Sequence, residues 1–454
     1  MAGINSLLPP EILEKVFSLL PVRDLRRVVL VCRRWRQVGE APHLWAWLYL
    51  VVRPDNLASL PEVLASRRLQ GVTGIKLEAV SEDLLACLAS HPGLRSLDLH
   101  HADLSGTSPY LLAFLLSRLE RGTLWFLSLS SIQAEAIFSC LGTSRLRQLD
   151  LSYTCLSHLA PALLASSSLS LHQLRLRSTS LSQEQLTALC SSLGKVSSSL
   201  CSLDLSACNL STIEPSLLAS GLSSLTETTL HGCSLTNLQA SALLSSLEPS
   251  SKLRQLDLSR NDLSSVPPTL LVSTACHLSS LQLEGASLTP DQVEALLSSI
   301  ARGAGLQSLS LSDTDLSLTR PGLLAASLPL LASVSLASTS LTREQIEALL
   351  TSMDSRSSNL RQLDLSFCPL SSLPSSLLAK AVQGLQQATL RLYLLCLLHQ
   401  HLLPRECSLT GQQVSVLCSL LAPGQATRLG CLNLQGSSVG GVEGGLLRDS
   451  RLYY

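Results

Sequence analysis

The chain has 454 residues, 46% of them apolar but only 3% aromatic, and its 33 basic side chains match its 33 acidic ones. That length exceeds what a single hydrophobic core usually spans, and the balanced charge argues against nucleic acid or an acidic membrane as the main partner. No run of about 18 apolar residues is present to span a bilayer. The opening MAGINSLLPPEILEK lacks the basic and apolar stretches of a secretory signal, so a cytosolic or nuclear location is expected. The 14 cysteines fit that location, because disulfide frameworks belong to small secreted domains. They form no C-x-x-C or paired Cys/His spacing of a zinc site. Reduced structural thiols, no metal and no cofactor are the expectation.

Residues 5–48 form a first module of two or three short helices. Leu8-Pro9-Pro10-Glu11 leads into Ile12, Leu13, Val16, Phe17 and Leu20, an apolar stripe at helical spacing. Pro9 and Pro10 suit a first helical turn, where a missing N–H costs little. Pro21 punctuates, and a second apolar series runs through Leu25, Val28, Val29, Cys32, Trp35 and Val38 to Gly39. A unit of this size is marginal alone. It resembles an F-box: Leu8-Pro9, Glu11, Ile12-Leu13, Asp24-Leu25, Val31-Cys32 and Trp35 stand at the spacings of that family, with His43-Leu44-Trp45 resembling its exit. The resemblance implies binding to the Skp adaptor and, through it, to the cullin of an SCF ubiquitin ligase. By position, Leu8, Pro9, Glu11, Ile12, Leu13, Val16, Val31, Cys32 and Trp35 would meet the adaptor or support the face that does. The plainer alternative is a helical cap whose stripe covers the first repeat. Arg23, Arg26, Arg27, Arg33, Arg34 and Arg36 read as a solvated helix face or a match to an acidic adaptor surface.

Residues 49–71 are too apolar for a loose tether and are expected to form a packed junction. From residue 72 to 454 the chain repeats itself. The clearest copy is Leu253 to Leu263, LRQLDLSRNDL, in the frame L-x-x-L-x-L-x-x-N/C/T/A-x-L. Alternation of Leu256 and Leu258 with Gln255 and Asp257 predicts a half-buried strand. The frame begins at Val72, Leu94, Leu124, Leu146, Leu171 and onward, and from Leu146 its steps alternate between 25 and 28 or 29 residues. Such a period and frame are those of leucine-rich repeats, and the longer copies are similar to ribonuclease-inhibitor repeats. The implied fold class is an α/β solenoid, a horseshoe with a parallel concave sheet and convex helices. Ser182/Gln185, Thr236/Gln239, Thr289/Gln292, Thr342/Gln345 and Thr410/Gln413 predict capping boxes at helix starts in the longer copies. The shorter copies, with Ser-Ser-Val-Pro-Pro after Leu263, predict a tighter return.

The leucines are scaffold, so recognition falls to residues between them. Asp98, Asp150, Asp204, Asp257 and Asp364 in shorter copies, with Arg175, Thr229 and Gln282 in longer ones, point into the concavity that solenoids use for binding. Two readings stand for the aspartates: an acidic stripe for a basic cargo, or a common repeat residue left solvated. Few aromatics line this face, so strong hot spots are not expected. Cys208, Cys233, Cys368 and Cys407 take the ninth frame position that Asn261, Thr154, Thr179, Thr314 and Thr339 hold elsewhere, and are expected to bond backbone at the turn. Arg391 to Glu406 inserts sixteen residues where another copy has two, either a docking loop or a misread coding boundary. The end, from Gly440, carries no recognisable capping helix.

No phosphate loop, nucleophile elbow or metalloprotease helix is present. A non-catalytic substrate-recognition subunit of an SCF ubiquitin ligase is therefore expected, its repeats holding a protein target of unknown identity. The other reading is a scaffold or inhibitor that binds a protein on its concave face without ubiquitin transfer. Neither involves nucleic acid or membrane.

Overall fold

The computed structural model describes residues 8–46, 49–52, 60–104, 106–194, 198–247, 251–353, 358–383, 387–389, 412–413, 416–417, 431–433 and 452–453. The chain divides into two compact units, Met1–Cys208 and Asn209–Tyr454.

The first unit opens with three helices, α1 (Pro10–Phe17), α2 (Val22–Val31) and α3 (Arg33–Gly39). Pro10 sits at the first helical position of α1, where proline costs no hydrogen bond. The apolar series that reads as one helix from Leu25 to Val38 is split at Cys32, whose φ of −157° is extended. The Cys32 sulfur accepts from the Trp35 N–H at 3.4 Å and so starts α3. Leu13, Phe17, Leu25, Val28, Val38, Ala41, Leu44 and Trp45 form the module's core, with Leu8, Leu20 and Trp35 packed against it. Phe17 and Trp35 meet edge to face at 5.3 Å, and the buried Trp45 indole donates to the Gly39 carbonyl at 2.8 Å.

This module is seated on the first strands of the same unit. Thr73 donates its hydroxyl to the Ala46 carbonyl at 2.6 Å. A Cβ at Gly71 would stand 1.9 Å from the Pro42 carbonyl oxygen, so no larger residue fits there. Strands follow as β1 (Tyr49–Val52), β2 (Gly74–Leu77), β3 (Ser96–His100), β4 (Arg121–Trp125), β5 (Gln148–Asp150), β6 (Gln173–Arg175) and β7 (Ser202–Asp204), each parallel to the next. The stretch read as a junction thus supplies the first strand, Leu50 opposite Ile75. Helices α4 (Leu60–Leu64), α5 (Glu82–Ser90), α6 (Pro109–Arg118), α7 (Ser131–Cys140), α8 (Pro161–Ser168) and α9 (Gln183–Leu193) return the chain.

The second unit continues the plan with β8 (Glu227–Thr229), β9 (Gln255–Asp257), β10 (Ser280–Gln282), β11 (Ser308–Ser310), β12 (Ser333–Ser335), β13 (Gln362–Asp364), β14 (Gln387–Thr389), β15 (Cys431–Asn433) and β16 (Leu452–Tyr453). Neighbours are again parallel. Its helices are α10 (Pro215–Leu222), α11 (Asn237–Ser245), α12 (Pro268–His277), α13 (Pro290–Ala301), α14 (Pro321–Ser327), α15 (Arg343–Met353) and α16 (Ser375–Gln383). Each unit is by itself an α/β solenoid segment, a parallel sheet with return helices. The shorter copies do not merely turn: α8, α10, α12 and α14 are helices, each with proline in the first turn. Insertion 391–406, Cys407, Thr410 and the glycine-rich end lie outside the described residues.

One register differs from the sequence reading. The third copy begins at Leu119, not Leu124, because Gly122 pairs with Leu97 and Leu149 while Leu124 pairs with Leu99. Trp125-Phe126-Leu127-Ser128-Leu129 imitates the frame, whereas the true strand has glycine where leucine is the rule. Leu116 closes on that position, 3.1 Å from where a Gly122 Cβ would sit. The corrected starts, Leu94, Leu119 and Leu146, extend the short–long alternation toward the N-terminus. The eighth residue of the frame then has positive φ in every copy from His101 through Phe126, Tyr153, Ser178, Ala207, Gly232, Arg260, Gly285, Asp313 and Ser338 to Phe367.

Two side-chain ladders hold the copies together. At the ninth position, Thr154 donates to the Leu124 carbonyl at 3.0 Å, Cys208 to Leu176 at 3.2 Å, Asn261 to Leu230 at 2.7 Å and Cys368 to Leu336 at 3.2 Å. Each reaches the same frame position of the preceding copy. Asn261 also accepts from the N–H groups of Cys233 and Leu235 at 3.1 Å. The second ladder is glutamine. Gln133, Gln185, Gln239 and Gln292 complete capping boxes with Ser130, Ser182, Thr236 and Thr289, and Gln345 makes both bonds with Thr342. The amide nitrogen of each then donates to two carbonyls of the preceding shorter copy. Gln185 bonds Leu156 and Leu159 at 2.8 and 2.6 Å, and Gln292 bonds Leu263 and Val266 at 2.7 and 2.6 Å. Gln413 does the same to Leu370 and Leu373. These glutamines are almost wholly buried, yet both amide hydrogens and the oxygen find partners, so burial costs little. That clamp makes the short–long pair, rather than the single copy, the structural unit.

Candidate protein-binding surfaces

The residues assigned to the adaptor separate into two groups. Leu13 is core and only 2% exposed, while Leu8 and Trp35 are half-buried against it. Ile12, Val16 and Val31 face solvent, as do Pro9, Glu11 and Cys32. Two apolar side chains absent from the sequence reading are more exposed still, Leu19 at 84% and Leu30 at 74%. Helical spacing points to neither, since Leu19 follows the last turn of α1 and Leu30 lies off the stripe that α2 buries. Ile12, Val16, Leu19, Leu30 and Val31 thus leave the module with an apolar exterior although its interior is already filled. Of the arginines, Arg34 is tied to the Leu8 carbonyl and Arg36 to the Val29 carbonyl at 3.1 Å. Both hold the helices in place rather than forming a free basic face.

On the sheets, the anticipated residues do share a row. In the first unit Val51, Lys76, Asp98, Thr123, Asp150, Arg175 and Asp204 stand in register, and in the second Thr229, Asp257, Gln282, Ser310, Ser335 and Asp364 do. Four of the aspartates are tied into the turn that follows their strand. One carboxylate oxygen of Asp150 accepts from the Ser152 N–H at 2.9 Å and its hydroxyl at 2.6 Å. Asp204 and Asp364 bind Ser206 and Ser366 in the same way, and Asp257 accepts from the Ser259 N–H at 2.9 Å. The L-D-L-S pattern therefore closes the strand-end turn. Asp98, lacking a serine two residues on, contacts His100 Nε2 at 2.5 Å and accepts from the Tyr49 hydroxyl at 3.2 Å. Burial first, then the Asp98 charge, holds the Tyr49 phenol above its ordinary value. Gln282 donates to the Ser280 hydroxyl at 3.2 Å.

The expectation that no aromatic cluster lines this surface is overturned. Trp125, at the end of β4, lies 5.0 Å from His100, 4.9 Å from Phe126 and 5.6 Å from Tyr153, each edge to face. Phe126 stacks on His101 at 4.9 Å and on Tyr153 at 4.3 Å with planes 6° apart. Three consecutive eighth-position residues, His101, Phe126 and Tyr153, so form a row of rings past the ends of β3, β4 and β5. Reading Trp125 and Phe126 as frame residues hid them; in the correct register both project outward. Earlier along the same strands lies a groove of about 270 Å³, lined by Tyr49, Arg121, Thr123, Gln148, Asp150 and Arg175. Among the described residues no group of three or more His, Cys, Asp or Glu is placed to hold a metal, and no helix is long and apolar enough to cross a membrane.

Comparison with known proteins agrees with both parts. Residues 6–51 match the F-box-like family, and residues 199–220, 252–273 and 359–380 match the Leucine Rich Repeat family. F-box/LRR-repeat protein 12 of Homo sapiens is 34% identical over 109 residues, 22% of this chain and 33% of that protein. F-box DNA helicase 1 of Gallus gallus is 34% identical over 97 residues, 20% of this chain and 9% of that one. The chain thus spans about a third or less of these relatives' length. Leucine-rich repeat-containing LegL7 of Legionella pneumophila aligns at 20% identity over 73% of this chain and 97% of that one with a TM-score of 0.38, a likeness too distant to bear on either fold or function. With three helices of the F-box pattern seated on a parallel sheet of leucine-framed copies, the chain is similar to F-box/leucine-rich-repeat proteins.

Proposed function

We propose that this protein is a non-catalytic substrate-recognition subunit of an SCF ubiquitin ligase. Its helical module binds the Skp adaptor and, through it, the cullin, while the repeats hold a target protein. The observation that carries this reading is the apolar exterior of Ile12, Val16, Leu19, Leu30 and Val31 on a module whose core is complete without them. Exposed apolar patches of this kind mark protein interfaces. The seating of the module on β1 and β2, through Thr73 and Gly71, supports a fixed distance between adaptor and cargo. The gain supplied to the transfer reaction is then proximity. The likeness to a helicase covers 9% of that protein and carries no catalytic role to this one. A cytosolic or nuclear location accompanies the proposal.

The test is capture of the full chain on immobilised Skp adaptor. Val16→Asp combined with Val31→Asp is expected to weaken capture at least a hundredfold while leaving the far-ultraviolet circular dichroism and the unfolding midpoint unchanged. Capture undiminished by both charges would overturn the docking assignment and favour a scaffold that works without ubiquitin transfer.

A further inference from the structure

We infer that the ring row of His101, Phe126 and Tyr153, with Trp125 and the groove earlier along the same strands, is the target-docking site, and that it takes an acidic peptide segment carrying an aromatic side chain. This rests on the reading of the repeats as a target receptor and names the chemistry of what they receive. The rings are not core: Phe126 is 43% exposed, and His101 is exposed as well. In a chain only 3% aromatic, four large rings meet outside the hydrophobic interior and stack chiefly on one another. Such an arrangement offers a fixed aromatic edge to an incoming ring, and offset or edge-to-face contact with it is favourable. Aromatic residues with arginine beside them are also the usual composition of interface hot spots.

Charge sets the rest of the ligand. The carboxylates nearest the rings have partners of their own: Asp98 has Tyr49 and His100, and Asp150 has Ser152 and Arg175. Two guanidiniums are left over. Arg177 lies over the Tyr153 ring at 5.9 Å, Arg121 lines the groove, and neither has a carboxylate within ion-pair distance among the described residues. Two guanidiniums of this unit thus stand without a carboxylate partner among the described residues. Arg177 at the rings and Arg121 in the groove suit a short acidic segment. They are too few for a phosphate backbone, whose binding scales with the number of neutralised phosphates.

Fluorescence polarisation with the full chain tests this. The probes are labelled Asp-Glu-Phe-Asp-Glu, its neutral counterpart Asn-Gln-Phe-Asn-Gln, its basic counterpart Lys-Arg-Phe-Lys-Arg and a ten-nucleotide oligothymidylate. The acidic probe is expected to bind at least tenfold tighter than the others and to weaken as salt rises. Phe126→Asn, a residue that accepts positive φ, and Arg177→Glu are each expected to lower its affinity at least tenfold, with Skp capture unchanged. Equal binding of the neutral or basic peptide, tighter binding of the oligonucleotide, no peptide binding at all, or an acidic probe indifferent to Arg177→Glu would each overturn the assignment. Loss of Skp capture in the unsubstituted chain would sink the receptor reading instead, leaving the peptide result to be judged alone.

Discussion

Along β3 to β6 the outward row reads Asp98, Thr123, Asp150 and Arg175, backed by Trp125, Phe126 and Tyr153; along β9 to β12 it reads Asp257, Gln282, Ser310 and Ser335. The leucine frame, the glutamine clamp and the ninth-position bonds are common to both stretches. At the eighth position the first carries three stacked rings, whereas the second has Arg260, Gly285, Asp313 and Ser338. Arg260 is itself engaged, 3.0 Å from Glu284 and 3.6 Å from Asp313. Support and recognition are thus written at separate positions of the same repeat. One can vary while the other stays fixed.

That separation can be broken or sharpened by paired substitutions. The largest effect belongs to the clamp. Gln185→Leu and Gln292→Leu each strand two buried carbonyls and a helix-capping N–H, and each is expected to cost roughly 2–4 kcal/mol in urea unfolding. Equal losses in both units would show that the scaffold is indifferent to the surface it carries; a loss in one unit alone would show it is not. Next come the turn aspartates. Asp204→Ala and Asp257→Ala should each cost about 1 kcal/mol by the same measurement, and neither should alter binding of the acidic probe. A tighter-binding Asp204→Ala would mean that its carboxylate still repels ligand.

The smallest effect is a pH dependence. Burial pushes the Cys368 thiol from its ordinary 9.0 to about 11 and the Cys190 thiol to about 12, and burial raises Cys208 as well. The folded chain then keeps protons that the unfolded chain releases near pH 9. Their contribution is therefore whole below that pH and declines as pH rises toward 11. Urea midpoints at pH 8 and pH 10.5 should differ less in Cys190→Ala than in the unsubstituted chain, and an identical drop in both would remove the thiol from the account.

Much of this architecture is legible in the residues. Period, strand phase and capping boxes follow from local chemistry that each copy restates, and Thr289 with Gln292 announces a helix start without tertiary help. Legibility fails where a copy breaks its own rule. Gly122 removes a frame leucine because Leu116 closes on that place, so the apparent match slid five residues to Leu124 and concealed both the ring row and the Ser130–Gln133 box. Cys32 interrupts an apolar series that looks continuous, since a thiol capping a helix leaves no mark in hydrophobic spacing. The helical module is half legible: the family pattern finds Leu13 and Val16 equally, but only packing tells which is interior. The carbonyls clamped by the glutamines are 26 and 29 residues upstream of them, beyond the reach of any local signal.

The left-handed backbone at Phe126 and Tyr153, with φ of 55° and 61°, places two large rings where glycine or asparagine would sit with less strain, at a cost of order 1 kcal/mol each. A laboratory effort to toughen this protein by averaging its repeats would replace those rings first, and would be rewarded with a higher melting temperature. It would also erase the patch it had not been asked to preserve. Durability and selectivity compete here for the same dihedral angle.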